Sequence, residues 1–147
     1  MSNSHNLLHI LSTHVFDTTP ERLWQAFENP MILKKWWWPD GFTSTFETFE
    51  FRAGGKWKLT MHSSDGRNFP NENRFEELKK FELITLEHTF TPHFELVITF
   101  DPLDWGRTQL NYTMIFDDQK TRDGVAIYAI PANEQLFERL EKIVPTL

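Results

Sequence analysis

The chain has 147 residues with 15 basic and 21 acidic side chains, a formal charge of -6, no cysteine, and aromatic residues at 15%. That balance argues against a nucleic-acid partner, which needs a basic footprint, and the absence of thiols excludes disulfides, thiolate zinc sites and cysteine nucleophiles. No run approaches the roughly 18 consecutive apolar residues of a membrane span, and residues 1–6 show no basic region leading into an apolar run, so a soluble, cytoplasmic protein is expected. The length suits a single domain over 1–147.

Residues 7–16 alternate loosely and read as a first strand. Asp17-Thr18-Thr19-Pro20-Glu21 then reads as a helix start: Thr19 supplies the capping oxygen, Pro20 takes the first helical position, and Glu21 complements the positive helix end. That helix shows Leu23, Trp24 and Phe27 on one side and is expected to stop near Asn29-Pro30. A second short helix is expected over 31–37, turning Ile32, Leu33, Trp36 and Trp37 inward. Three adjacent indoles, Trp36-Trp37-Trp38, cannot share one face of any regular element, so at least one must leave the core or line something. Pro39 and Asp40-Gly41 mark the end of that helix.

From Thr43 the pattern turns to period two. Phe49 and Phe51 alternate with Glu50 and Arg52, which are expected to pair. Gly54-Gly55 reads as a tight hairpin with positive φ. The return strand sets Trp57, Leu59 and Met61 against Lys56, Lys58, Thr60 and His62. Further strands are expected over 73–78, 83–88, 94–100 and 108–116, with apolar stripes at Phe94/Leu96/Ile98/Phe100 and Leu110/Tyr112/Met114/Phe116. One sheet face is then dry and the other wet. Residues 119–129 read as helical and broken by Pro131, with a terminal helix over 132–144 carrying Leu136, Phe137, Leu140, Ile143 and Val144 at helical spacing. Asn133 shares their stripe.

An α+β architecture follows: a curved antiparallel sheet of about six to seven strands wrapped around a long C-terminal helix, with two short helices after the first strand. The helix is the only large element left to cover the dry face. A curved sheet and a straight helix do not fit flush, which leaves room for a cavity. The aromatic residues, 14 Phe and 6 Trp against 2 Tyr, exceed ordinary core filling and suit its walls.

Phe16-Asp17, Pro20-Glu21-Arg22-Leu23-Trp24-Gln25-Ala26-Phe27, Leu33-Lys34-Lys35-Trp36-Trp37, Pro39, Gly41-Phe42, Phe49-Glu50-Phe51-Arg52-Ala53-Gly54-Gly55-Lys56-Trp57, Asp65-Gly66 and Phe137-Glu138-Arg139-Leu140 occur in an order that resembles a known family. The chain is similar to the AHSA-type proteins, activator-of-HSP-ATPase homologues of the START-like, helix-grip (SRPBCC) superfamily that also holds birch-pollen allergens and polyketide cyclases. The resemblance covers nearly the whole chain and implies the helix-grip fold and a cavity for an apolar, lipid- or polyketide-like ligand. It also raises chaperone co-regulation or a stress-related role. The chain departs from the pattern at Trp38, where similar proteins often have Gly, and at Ala132-Asn133, where many have Gly-Trp.

None of the 6 His residues falls at His-Glu-x-x-His spacing, and no Gly-x-Ser-x-Gly, phosphate loop or dinucleotide fingerprint is present. His88 and His93 flank Thr-Phe-Thr-Pro across a hairpin and read as turn histidines, so no metal, cofactor or catalytic residue is assigned. The candidate cavity residues are Trp36, Trp37, Phe42, Trp57, Met61, Phe94, Tyr112, Met114, Tyr128, Asn133 and Phe137, with Asn133 and Tyr128 as polar groups. The leading expectation is a small-molecule binder. A chaperone-interaction module using the Trp cluster is the alternative, and a cyclase- or hydrolase-like enzyme is the third reading, which requires His62, Glu50 or Tyr128 to face inward.

Overall fold

A computed structural model describes residues 7–147, and the expectation about the first six residues lies outside them. The chain runs β1 (His9–Phe16), α1 (Pro20–Glu28), α2 (Pro30–Leu33), β2 (Phe42–Phe49), β3 (Lys56–Ser63), β4 (Asn68–Lys79), β5 (Leu83–His88), β6 (Phe94–Leu103), β7 (Arg107–Phe116) and α3 (Gln119–Ile143). The strands form one sheet in the order β1-β7-β6-β5-β4-β3-β2, antiparallel at every pairing. The curved sheet closes on α3 in the helix-grip arrangement. No helix among the described residues is long and apolar enough to cross a membrane.

Local chemistry sets the helix boundaries. Thr19 Oγ1 accepts from the Arg22 N–H at 3.3 Å, Pro20 opens α1, and Asn29 Oδ1 accepts from the Met31 N–H at 2.9 Å, with Pro30 in the first position of α2. Helix α2 is shorter than expected, ending at Leu33, and residues beyond it wind through turns to Trp38. The expected break at Pro131 is also corrected, because α3 runs unbroken for 25 residues through it. An internal proline deprives the carbonyl four residues earlier of its donor. Here that residue is Ile127, 72% exposed, so water can satisfy the carbonyl.

Period-two alternation divides the sheet cleanly. Ile84, Leu86 and His88 of β5, Leu96, Ile98 and Phe100 of β6, and Leu110, Tyr112, Met114 and Phe116 of β7 are buried on the concave side. Helix α3 covers this side with Leu136, Phe137 and Leu140, and the Phe137 ring meets Phe16 edge-on at 6.1 Å and Tyr112 at 5.9 Å. Asn133 Nδ2 donates to Ser12 Oγ at 3.2 Å and lies 3.7 Å from the Met114 sulfur. Gln135 Oε1 accepts from the Asp40 N–H at 2.8 Å, and Arg139 pairs with Asp40 and donates to the Trp38 carbonyl. The loop after the Trp cluster is thereby pinned to α3.

The connection from β2 to β3 differs from the expected two-glycine turn. Gly54 has φ +81°, but Gly55 does not reach positive φ. Its requirement is close approach: a Cβ there would sit 2.0 Å from the Glu50 carbonyl oxygen. Glu50 and Arg52 do meet, at 3.7 Å with both side chains well exposed, which makes the pair a weak one. Glu50 contributes more by accepting the Lys56 N–H at 3.0 Å.

Candidate functional site

Strands β3 to β7 converge with Trp37 on a cleft of about 270 Å³, near the lower end of the range of small-molecule sites. Trp37, Leu59, Met61, Leu86, Pro92, Phe94, Leu96 and Tyr112 form its apolar wall, and Asn71, Asn73 and His88 form its polar end. Immediately behind Trp37 and Leu86, the space among Phe27, Phe51, Trp57, Phe75 and Ile98 shrinks to about 10 Å³, barely one water. Packing is therefore complete in the adjoining core, and the cleft exists because inward positions on β4 and β5 hold amides and an imidazole where aliphatic side chains would fill the space. Three larger grooves, of about 350, 410 and 470 Å³, are more open to solvent and share no lining residue with the cleft.

The expected residues separate into groups. Trp37, Met61, Phe94 and Tyr112 line the cleft. Trp36 and Phe137 are core residues, and Met114 and Asn133 are buried beside β1. Trp57 belongs to the filled compartment, where its ring lies parallel to Phe75. Phe42 instead pairs with Phe69 at 5.9 Å. Tyr128 is corrected outright: it is 77% exposed on α3 and cannot supply a polar group to the cavity. Trp38 is half-buried, with the Arg139 guanidinium 5.8 Å above its ring.

None of the three groups required by the enzymatic reading lines the cleft. His62 lies on the outer face, held by Thr45 Oγ1 at 2.8 Å and Asn68 Oδ1 at 2.6 Å, Glu50 lies in the β2–β3 connection, and Tyr128 is on the surface. The imidazole that lines the cleft is that of His88, 7% exposed, which stacks on Phe94 with ring centres 4.7 Å apart. Its Nδ1 lies 2.8 Å from the Pro92 carbonyl and its Nε2 lies 2.8 Å from Asn71 Oδ1. Asn73 stands directly opposite it across the β4–β5 ladder. The signal for these residues was available, since His88 shares the parity of Ile84 and Leu86, and Asn73 shares that of Phe75.

His93, five residues on, faces the other way. Its ring nitrogens lie 2.8 Å from Glu87 Oε2 and 2.8 Å from Asp117 Oδ2, and Arg74 holds the other Glu87 oxygen at 2.7 Å. Those carboxylates raise the His93 pKa above 6.5, while burial lowers that of His88 below 6.5, partly opposed by the Pro92 and Phe90 carbonyls. An imidazole NMR titration is expected to show the two histidines displaced in opposite directions. The His93 contribution to stability is complete below 6.5 and is lost as pH rises through its folded value. The His88 contribution is complete above 6.5 and is lost as pH falls toward its folded value. Displacement of both in one direction would contradict the opposed environments. Burial likewise raises the Tyr112 phenol, keeping it protonated.

A family model described as Activator of Hsp90 ATPase homolog 1-like protein matches residues 17–145. No curated protein matches the chain by sequence. Among solved structures, a protein from Arthrobacter aurescens superposes with TM-score 0.87 at 20% identity, covering 99% of this chain and 91% of its own. One from Rhodobacter sphaeroides gives 0.87 at 22%, covering 96% and 95%. One from Chromobacterium violaceum gives 0.82 at 24%, covering 92% and 96%. Identities at this level show the shared fold.

Proposed function

We propose that this chain, which belongs to the Activator of Hsp90 ATPase homolog 1-like family, is a small-molecule-binding protein that takes a largely apolar, aromatic-sized ligand into the cleft beside Trp37. The observation that carries this reading is the contrast between the cleft of about 270 Å³ and the filled compartment of about 10 Å³ that adjoins it. The half-buried Asn71 and the buried Asn73 and His88 put polar groups at one end of an otherwise apolar cleft, the arrangement that orients a small ligand. A chain without cysteine suits a reducing, cytoplasmic setting.

Titration with neutral aromatic compounds, flavonoids, polyketides and lipids is expected to quench Trp37 fluorescence and to move the amide resonances of Leu86, Phe94 and Tyr112 together. If every compound leaves those resonances in place, the binding reading is wrong.

A second reading, co-regulation of a chaperone ATPase, rests on one surface feature besides the family. Trp105 is 89% exposed and sits at φ 69° between β6 and β7, and exposed indoles of this kind are the anchors that protein interfaces bury. Trp38, under Arg139, offers less. Capture of a chaperone ATPase by the wild-type chain and its loss in Trp105→Ala would establish this role. Failure of capture by the wild-type chain would end it.

A further inference from the structure

The polar end of the cleft is one proton short of a complete hydrogen-bond network. The Pro92 carbonyl can only accept, so the contact at 2.8 Å places a proton on His88 Nδ1. On the other side Asn71 Nδ2 donates to the Phe69 carbonyl at 3.2 Å, which turns Asn71 Oδ1, another acceptor, toward His88 Nε2 at 2.8 Å. A neutral His88 therefore sets two acceptors against each other. Rotating the Asn71 amide repairs that contact only by pressing Oδ1 against the Phe69 carbonyl. A second proton on His88 completes all three hydrogen bonds.

That second proton creates an imidazolium with no counter-charge on its own face. The cleft lining contributed by β3, β4, β5, β6, β7 and Trp37 holds Asn71, Asn73 and Tyr112 as its other polar groups and neither a carboxylate nor a cation. Glu72 is drawn to Lys58, while Glu87 and Asp117 are engaged by Arg74 and His93 on the outer face. His93, when charged, opposes a second positive charge at His88. Geometry asks for the proton, and burial withholds it.

We infer that the cleft selects monocarboxylic acids with a compact apolar body, and that the ligand carboxylate is the counter-charge that lets His88 take up its second proton through Nε2. This rests on the binding role proposed above and adds the ligand's chemical class. The carboxylate is already ionised above about pH 5, so the proton comes from solvent and ends on His88. No covalent bond is made or broken. Asn73 and Tyr112 line the same cleft, and an amide N–H and a phenol O–H are donors suited to carboxylate oxygens. The volume and the aromatic wall of Trp37, Phe94 and Tyr112 favour an aryl acid or a short aliphatic one.

Benzoate and its uncharged counterpart benzyl alcohol separate the two levels of the argument when titrated into the full chain with 15N detection of the His88 ring. Benzoate is expected to bind at least about tenfold more tightly than benzyl alcohol at pH 6. It is also expected to convert His88 from the Nδ1–H tautomer to the doubly protonated ring. The advantage then falls by about tenfold per pH unit between the His88 pKa of the free protein and that of the complex. Asn71→Asp, which builds a carboxylate beside Nε2, is expected to charge His88 without ligand and to bring the benzoate to benzyl alcohol affinity ratio down to one or below. Equal binding of the two compounds by the wild-type protein, or a benzoate advantage with no change in His88 protonation, overturns the acid preference while leaving the cleft a binding site. Binding of neither overturns both.

Discussion

Trp36→Ala is expected to cost the fold about 3–5 kcal/mol, whereas its neighbour Trp37→Ala costs about 1–2 kcal/mol and weakens ligand binding at least tenfold. Trp36 is fully buried and meets Phe27 edge-on with ring centres 4.9 Å apart. Its indole N–H donates to the Ala26 carbonyl at 3.0 Å. The helical donor for that carbonyl would be residue 30, and residue 30 is Pro, so the side chain of Trp36 does what the backbone of α1 cannot. Removing it opens a large cavity and strands a buried acceptor. Trp37 is half-buried and leans on Trp57 and Tyr112 at 5.0 and 5.9 Å, with one side forming the cleft wall. Urea denaturation followed by circular dichroism, beside a binding titration with a neutral aromatic probe, separates the two roles. Equal stability losses, or undiminished binding by Trp37→Ala, would refute the division between core and wall.

The architecture was legible because its signals are local and repeated. Thr19 with Pro20, the alternation of Trp57, Leu59 and Met61, and the stripes on β6 and β7 each follow from side-chain periodicity and capping chemistry. The site was less legible because it depends on which of several inward residues stop short of filling the space. Trp37, Met61, Phe94 and Tyr112 share their apolar character with Trp36, Trp57 and Phe137, which pack the core, and only the closure of the sheet distinguishes the two sets. Tyr128 escapes a sequence reading because an expected helix break at Pro131 hides the true phase of α3, in which Ile127 and Tyr128 face solvent. The strand alternation marks His88 as an inward position of β5, whereas its closeness in sequence to His93 suggests a shared turn, although a strand end and the turn beyond it turn the two rings to opposite faces. Asn71 and Asn73 lie on a strand that begins at Asn68, five residues before its expected start, which leaves Asn71 outside the sheet that the alternation predicts.

Substitution at the paired glycines of the β2–β3 connection is expected to separate two physical demands that look identical in sequence. Gly54→Ala forces an ordinary residue into φ +81° with nothing within 4 Å of the new Cβ, a cost of about 1–2 kcal/mol. Gly55→Ala meets no such dihedral penalty, but its Cβ would lie 2.0 Å from the Glu50 carbonyl oxygen and 2.9 Å from that of Arg52. Both obstacles are backbone, and neither can move freely. The Glu50 N–H donates to the Lys56 carbonyl at 2.8 Å, the Gly55 N–H to that of Arg52 at 2.8 Å, and the Phe75 N–H to that of Gly55 at 2.9 Å. Relieving the overlap disturbs this set of bonds and with it the docking of Phe51 and Phe75 beside Trp24 and Trp57, so the expected loss is about 3 kcal/mol or more. Thermal unfolding of the two variants measures the order directly. A Gly54→Ala loss equal to or greater than that of Gly55→Ala would show that the close approach to Glu50 is not the stricter of the two demands.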